Sequence, residues 1–209
     1  MNTVLDSSQT VLLHNISWNS YKQIADALQD QTPAHLTYDR GRLEIMVLSF
    51  QHENLKKLIA MLFERLTEDL DIEICAAGST TFQKEDLERG FEPDESYYIE
   101  NAAYMRGRKS VNLDFDPPPD LSIEIDVTQS SINRMNIFAA IGIREVWRCH
   151  GSAVEFSVLH EGKYEVVSVS KVLSGVSSAK VTELIKFGLT STRRQFMDRI
   201  DEYAASLKN

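Results

Sequence analysis

Apolar residues along the chain follow two spacings, one typical of helices and one typical of strands. Between residues 51 and 70 they are three and four positions apart, as on one face of a helix: Leu55, Leu58, Ile59, Leu62, Phe63 and Leu66. We expect this face to pack on a sheet. Before it, "HLTYDRGRLEIMVLS" alternates on both sides of Asp39-Arg40-Gly41, which predicts two antiparallel strands joined by a turn.

The centre of the chain predicts an acidic strand, then a helix and another strand. In "PDLSIEIDV", residues 119–127, one face of the strand is apolar and the other polar; Leu121, Ile123, Ile125 and Val127 form the first, and Ser122, Glu124 and Asp126 the second. "SSINRMNIFAAIG" then predicts a helix capped by Ser130 or Ser131 and ended by Gly142. "IREVWRCHG" follows as the next strand.

The remaining segments complete an α/β pattern. A helix is expected in "WNSYKQIADALQD", a short strand around residues 96–99, a hairpin turning at Glu161-Gly162, and an amphipathic C-terminal helix in "TRRQFMDRIDEYAASLKN". The central order is helix, strand, strand, strand, helix, strand. We therefore predict one α/β domain over residues 1–209, with a mixed central sheet flanked by helices, an N-terminal hairpin and a C-terminal helix.

Composition agrees with one folded domain and excludes some classes of protein. With 43% hydrophobic and 25% charged residues, the chain can bury a substantial core. No apolar run approaches the roughly 20 residues of a membrane-spanning helix, and "MNTVLDSSQT" lacks the basic and apolar pattern of a secretion signal. We expect a cytoplasmic protein with no membrane partner.

The net charge bears on the choice of partner. A formal charge of −9 disfavours nonspecific adhesion to a polyanion such as DNA. Carboxylates that hold divalent cations would add to this negative count and be neutralised when the metal binds. The charge therefore weakens a nucleic-acid function without excluding it.

Acidic residues follow proline in two separate strand segments. Asp94 stands in "EPDESYYI", and "PPPDLSIEIDV" carries Asp120, Glu124 and Asp126. A strand with one solvent-exposed face would explain this pattern. However, the second strand has the layout of an interior strand, where unpaired charges are costly and need a metal, a cation or a watery cleft. If the strands are neighbours, Asp94 and Glu124 can converge as oxygen ligands of Mg²⁺ or Mn²⁺.

These motifs carry a resemblance to a known family. The order of elements, with "PD" leading one acidic strand and "PDLSIEI" the next, resembles the PD-(D/E)XK nuclease superfamily. More closely, "EPDESYYI" and "PPPDLSIEIDVTQSSINRMNIFAAIGIREVWR" resemble the Uma-two family, a bacterial group of restriction-endonuclease-like proteins also described as a domain of unknown function. The resemblance covers residues 18–200 and implies a nuclease-like core at about 50–150.

The resemblance implies roles for particular residues. Asp94 and Glu124 match the superfamily's metal ligands, whereas Asp126 stands where a lysine is expected and becomes a third candidate ligand. The basic residue is displaced to Arg134 in the following helix, where its charge could stabilise a phosphoryl transition state. Lys84 is the alternative replacement. A surface position on the helix would equally explain Arg134.

The superfamily often adds a glutamate from the first helix, and "FQHENL" supplies His52 and Glu53 there. At about 100° per residue, His52 lies near the apolar face of the helix and Glu53 nearly opposite. Both are candidate catalytic residues. Glu53 could instead be a residue favoured by the helix dipole, and His52 a partly buried histidine at the helix start.

The resulting functional hypothesis is a magnesium-dependent endodeoxyribonuclease acting on DNA as a homodimer, since cutting two strands commonly uses two sites related by twofold symmetry. Two other functions remain open. One is a catalytically degenerate nuclease fold with a binding or regulatory role, which the missing lysine favours. The other is a hydrolase of small phosphodiesters, for which the acidic surface would matter less.

Overall fold

Two β-sheets and the helices around them make up the protein; the computed structural model describes residues 9–28, 34–126 and 130–208. The strands are β1 (Gln9–Leu13), β2 (Ala34–Asp39), β3 (Arg42–Val47), β4 (Cys75–Ala76), β5 (Phe82–Lys84), β6 (Arg89–Phe91), β7 (Glu95–Tyr98), β8 (Leu121–Asp126), β9 (Glu145–His150), β10 (Ala153–His160) and β11 (Lys163–Val167). The helices are α1 (Trp18–Leu28), α2 (Phe50–Asp69), α3 (Ala102–Met105), α4 (Arg134–Ile141), α5 (Ser178–Gly188) and α6 (Arg193–Leu207).

The first sheet has five antiparallel strands in the order β1-β3-β2-β6-β5. Its centre is the predicted hairpin of β2 and β3, which the structure confirms. The turn places Arg40 at φ 44° and Gly41 at φ 88°, left-handed backbone that glycine adopts without steric cost. Helix α1 covers this sheet so closely that a Cβ on Gly90 would lie 2.2 Å from the hydroxyl of Tyr21.

The second sheet has six strands in the order β11-β10-β9-β8-β7-β4. Its pairs are antiparallel except β8 and β9, which run parallel and are joined through α4. Strand β8 is therefore interior, as its position before a helix predicted. Val127, expected to extend this strand, lies outside the described residues.

The two faces of the six-stranded sheet have different partners. Leu121, Ile123 and Ile125 of β8 enter the core cluster formed with α2, α5 and α6. The apolar residues predicted on one face of α2 are all buried there, which confirms the helical spacing. The opposite face, which carries Glu124, is covered by α4 and by part of the five-stranded sheet.

The structure confirms the α/β class and differs from the sequence expectations in detail. The central sheet is mixed, but a second sheet stands beside it. Helix α4 begins at Arg134 rather than next to Ser130 or Ser131, because those residues donate hydrogen bonds to Glu44. Gly142 ends it at φ 96°, as predicted. Helix α5 was not predicted. Within the described ranges, no helix is both long and apolar enough to cross a bilayer.

Candidate active site

Asp94 and Glu124 lie opposite each other where the two sheets meet. Asp94 follows β6 of the five-stranded sheet and precedes β7 of the six-stranded sheet. Strands β7 and β8 pair Glu95 with Ile123, so one further step along the same register sets Asp94 against Glu124. Residues directly opposite in an antiparallel pair share a face. Both acids are buried, at 1% and 3% exposure.

The Asp94 carboxylate is held through one oxygen, and its other oxygen is buried beside His35. Its Oδ2 accepts the backbone N–H of Ile125 at 2.7 Å and lies 3.1 Å from Nε2 of His52. Nδ1 of His35 lies 3.3 Å from Oδ1, and among the described residues Oδ1 accepts no hydrogen bond of good geometry. Burial alone would raise the pKa of Asp94; contacts with His35 and His52, and the charge of Arg134, hold it well below its ordinary value.

His52 faces the site, as its helical position predicted. Ser49 caps α2 by accepting the backbone N–H of His52 at 3.2 Å, which places His52 in the first helical turn at 2% exposure. Burial lowers the pKa of His52, but hydrogen bonding and charge from Asp94 outweigh it, so the pKa is raised. The side chain of Glu53 is 43% exposed; it pairs with Lys56 at 3.1 Å and lies 3.5 Å from Nδ1 of His52.

Both carboxylate oxygens of Glu124 have partners within the protein. The hydroxyl of Ser122 donates to Oε1 at 3.0 Å, and Nη1 of Arg134 donates to Oε2 at 2.8 Å. Burial raises the pKa of Glu124 to about 7, with a further contribution from the charges of Asp94 and Asp126 and with Arg134 opposing it. Glu124 is therefore a carboxyl whose charge depends on the cation beside it.

Arg134 and Lys84, the two candidates to replace the missing lysine, lie in different places relative to Glu124. Arg134 begins α4, and its side chain is 13% exposed and touches Glu124. Burial lowers the pKa of this guanidinium, but Glu124 and Asp94 outweigh that effect, so it keeps its charge. Lys84 donates to the carbonyl of Leu113 at 3.3 Å and has no contact with Glu124 among the described residues.

Asp126 forms its ion pairs with residues of β9, away from Asp94 and Glu124. Its Oδ2 accepts from Nε and Nη2 of Arg148 at 3.1 Å and 2.6 Å, and lies 3.4 Å from Nδ1 of His150. In the described part of the chain, no group of three or more His, Cys, Asp or Glu could hold a metal ion. A ligand set of Asp94, Glu124 and Asp126 is thus not assembled in this structure, and their metal-binding roles stay predictions.

Two residues of this region escaped the sequence analysis. His35 of β2 contacts Asp94, and Glu44 of β3 is fully buried and accepts from the Ser130 hydroxyl and the Ser131 N–H, both at 2.6 Å. Each is a polar residue in a strand whose apolar and polar residues alternate, a pattern that usually indicates a solvent-exposed face. Only the packing of the five-stranded sheet on the six-stranded one buries them here.

The buried Oδ1 of Asp94 bears on whether these residues could hold a divalent metal ion. Mg²⁺ usually binds through one or two protein carboxylates and completes its shell with water or phosphate oxygens. Asp94 offers a buried oxygen that accepts no hydrogen bond from the described residues, and Glu124 offers a carboxylate whose Oε2 is shared with Arg134. The two residues fit a two-carboxylate magnesium or manganese site.

Comparison with known proteins places the fold and the family. The structure is similar to one described as "a putative nuclease belonging to DUF820 from Anabaena variabilis ATCC 29413", with a TM-score of 0.58, 14% identity, and coverage of 81% of this chain and 99% of the other. No curated protein matches the sequence. A family model, "Uma2: Putative restriction endonuclease", matches residues 18–193. Because that match spans most of the sequence and includes both acidic strands, the chain belongs to the Uma2 family of restriction-endonuclease-like proteins.

Proposed function

We propose that the protein is a metal-dependent endonuclease that hydrolyses phosphodiester bonds of DNA. One observation carries the proposal: two buried carboxylates, Asp94 just before β7 and Glu124 on the paired strand β8, belong to neighbouring segments, and Oδ1 of Asp94 accepts no hydrogen bond from the described residues. Family membership and the nuclease-like fold support the same reaction class. Buried carboxylates without a cation are unfavourable, so such a pair suits a dication.

Asp94 and Glu124 would hold the metal ion, and Asp126, which pairs with Arg148, would be a third ligand only if that pair opened. The bound ion supplies polarisation of a phosphoryl oxygen and a lowered pKa for water. His52 and the Ile125 N–H fix the Asp94 carboxylate, so that its free oxygen keeps one orientation. This preorganisation reduces the cost of ordering the site when ligands bind.

Arg134 acts in the proposed reaction through its charge. Arginine stays protonated at neutral pH and cannot readily deprotonate a water. With Glu124 as a metal ligand, the Arg134 guanidinium would be free to contact the phosphoryl oxygens on which negative charge develops. Glu53 contacts His52 rather than Asp94, so its proposed role is to orient the histidine.

A plasmid-cleavage assay with Mg²⁺ or Mn²⁺ tests this function. Wild type should nick or linearise the plasmid, and Asp94→Ala should not. Asp120→Ala is the matched control, because Asp120 also follows a proline but accepts from the backbone N–H groups of Ile99 and Glu100. Equal cleavage by wild type and Asp94→Ala would reject the assigned site.

A second candidate is a catalytically degenerate nuclease fold that binds DNA without cutting it. The observation that favours it is the ion pair of Arg134 with Glu124, which already neutralises one of the two acids. Adding single-stranded DNA and a chromogenic phosphodiester to the assay separates the hypotheses. Binding without turnover of any substrate would support the degenerate fold, whereas turnover of the small ester alone would support a small-phosphodiester hydrolase.

A further inference from the structure

A cleft of about 610 Å³ opens beside the candidate site on the α4 side of the six-stranded sheet. Its lining includes Glu124 and Arg134 and also Asp126, Arg148 and His150. The proposed reaction uses only the first two. The cleft therefore extends beyond the proposed catalytic residues. The proposed reaction gives no role to the other three side chains that line it.

Arg148 stands on the same face of the sheet as Glu124. Strands β8 and β9 are parallel, and their register sets Glu124 beside Arg148. Asp126 then holds the guanidinium through Nε at 3.1 Å and Nη2 at 2.6 Å. The third nitrogen, Nη1, has no hydrogen-bond partner within the described residues, and the side chain is 31% exposed. Arg148 is thus fixed in position with a donor left for a ligand.

Arg134 adds unsatisfied donors to the same cleft. Its Nη1 donates to Glu124, but Nε and Nη2 are buried and, among the described residues, without a hydrogen-bond partner. Leaving buried charged donors unpaired is costly, so such donors indicate a ligand that accepts from them. The side chain of Asn133 makes no capping hydrogen bond at the start of α4, which leaves that helix end without a side-chain acceptor.

We propose that this cleft binds a backbone phosphate of the nucleic acid adjacent to the one that is cleaved, with Arg148 as its contact and with Arg134 lying between the two phosphates. Planar guanidinium groups match phosphate oxygens by paired hydrogen bonds. Asp126 acts as a positioning residue that preorganises Arg148. This inference rests on the proposed nuclease function for the identity of the ligand, but the anion site has a test of its own.

A purely structural role for the ion pair of Asp126 with Arg148 makes a different prediction. A partly exposed pair contributes little to stability, and its loss would not alter the response of the protein to phosphate. The proposed site predicts instead that inorganic phosphate, compared with chloride at matched ionic strength, raises the melting temperature of wild type, because a ligand that binds only the native state stabilises it.

The first experiment measures this phosphate response in three variants. Arg148→Ala should lose the rise in melting temperature, and Arg148→Lys should keep part of it. Arg199→Ala should respond like wild type, since Arg199 is also in an ion pair, with Glu202 at 3.0 Å, but does not line the cleft. An equal rise in Arg148→Ala and wild type overturns the site, as does the absence of a rise in every protein.

The second experiment measures binding of a labelled DNA duplex in the Asp94→Ala background, where cleavage is not expected. Adding Arg148→Ala should weaken binding about tenfold and reduce the dependence of log K on log salt by about one. Unchanged affinity and salt dependence overturn the contact. If wild type cleaves no DNA but Arg148→Ala still loses the phosphate response, the nuclease function fails and the anion site stands.

Discussion

Arg134 donates from Nη1 to Oε2 of Glu124 at 2.8 Å, and this ion pair joins the start of α4 to the interior strand β8. The PD-(D/E)XK pattern that the sequence resembles has a lysine on that strand, two residues after the acid. In this protein Asp126 stands at that position, and the cation beside Glu124 is Arg134 of the following helix.

Removing the cation should destabilise the protein. Arg134→Ala leaves Glu124 buried without its partner, and we expect a loss of about 3 kcal/mol in the free energy of unfolding. Urea denaturation measures it. The double variant Arg134→Ala/Glu124→Gln should recover part of the loss, because no buried charge then remains. Additive losses in the double variant would contradict a direct pairing.

Metal binding should distinguish the two aspartates that follow prolines. Mn²⁺ should raise the melting temperature of wild type, and Asp94→Ala should abolish that rise. Asp120→Ala should lower the melting temperature without metal, by leaving the N–H groups of Ile99 and Glu100 unsatisfied at a cost of about 2 kcal/mol, yet keep the response to Mn²⁺. Differential scanning fluorimetry measures both. A retained response in Asp94→Ala would remove this residue from the site.

The pH dependence of stability should reveal the buried carboxyl. Because burial raises the pKa of Glu124 to about 7 in the folded state, its contribution is complete below the ordinary pKa of 4.5 and is lost as pH rises through about 7. His52, whose pKa is also raised, acts in the same direction.

Between about pH 5 and about pH 8, wild type without metal should therefore lose about 2 kcal/mol of stability, and Glu124→Gln should lose less, because glutamine resembles the neutral acid. Chemical denaturation at a series of pH values provides the measurement. Identical pH profiles for the two proteins would mean that Glu124 titrates in its ordinary range.

Glu44 should matter for the position of Arg134. Its carboxylate accepts from the Ser130 hydroxyl and the Ser131 N–H ahead of α4. Glu44→Ala should lower kcat for phosphodiester hydrolysis and speed amide hydrogen exchange at Ser131, whereas Glu44→Gln, which keeps an acceptor, should lie between that variant and wild type. Glu165→Ala is the control, since that side chain is 69% exposed on β11. Unchanged exchange at Ser131 would exclude this positioning role.

Local patterns were sufficient to predict several elements and the direction of some side chains on them. The spacing of Leu55, Ile59 and Leu62 identified α2 and its buried face, and alternation around Gly41 identified the β2–β3 hairpin. The same reasoning placed His52 inward and Glu53 outward. These features depend on residues close in the chain, whose relative directions are set by 3.6-residue and two-residue periods.

The sequence by itself determined the α/β class and the interior position of β8, because each follows from periodicity and from the order of elements. Only the tertiary structure decided that Asp94 contacts β8, that His35 and Glu44 join this region, and that Arg148 pairs with Asp126. Those contacts join strands far apart in the chain. Their partners are set by the packing of one sheet on another and by strand register, which no local pattern encodes.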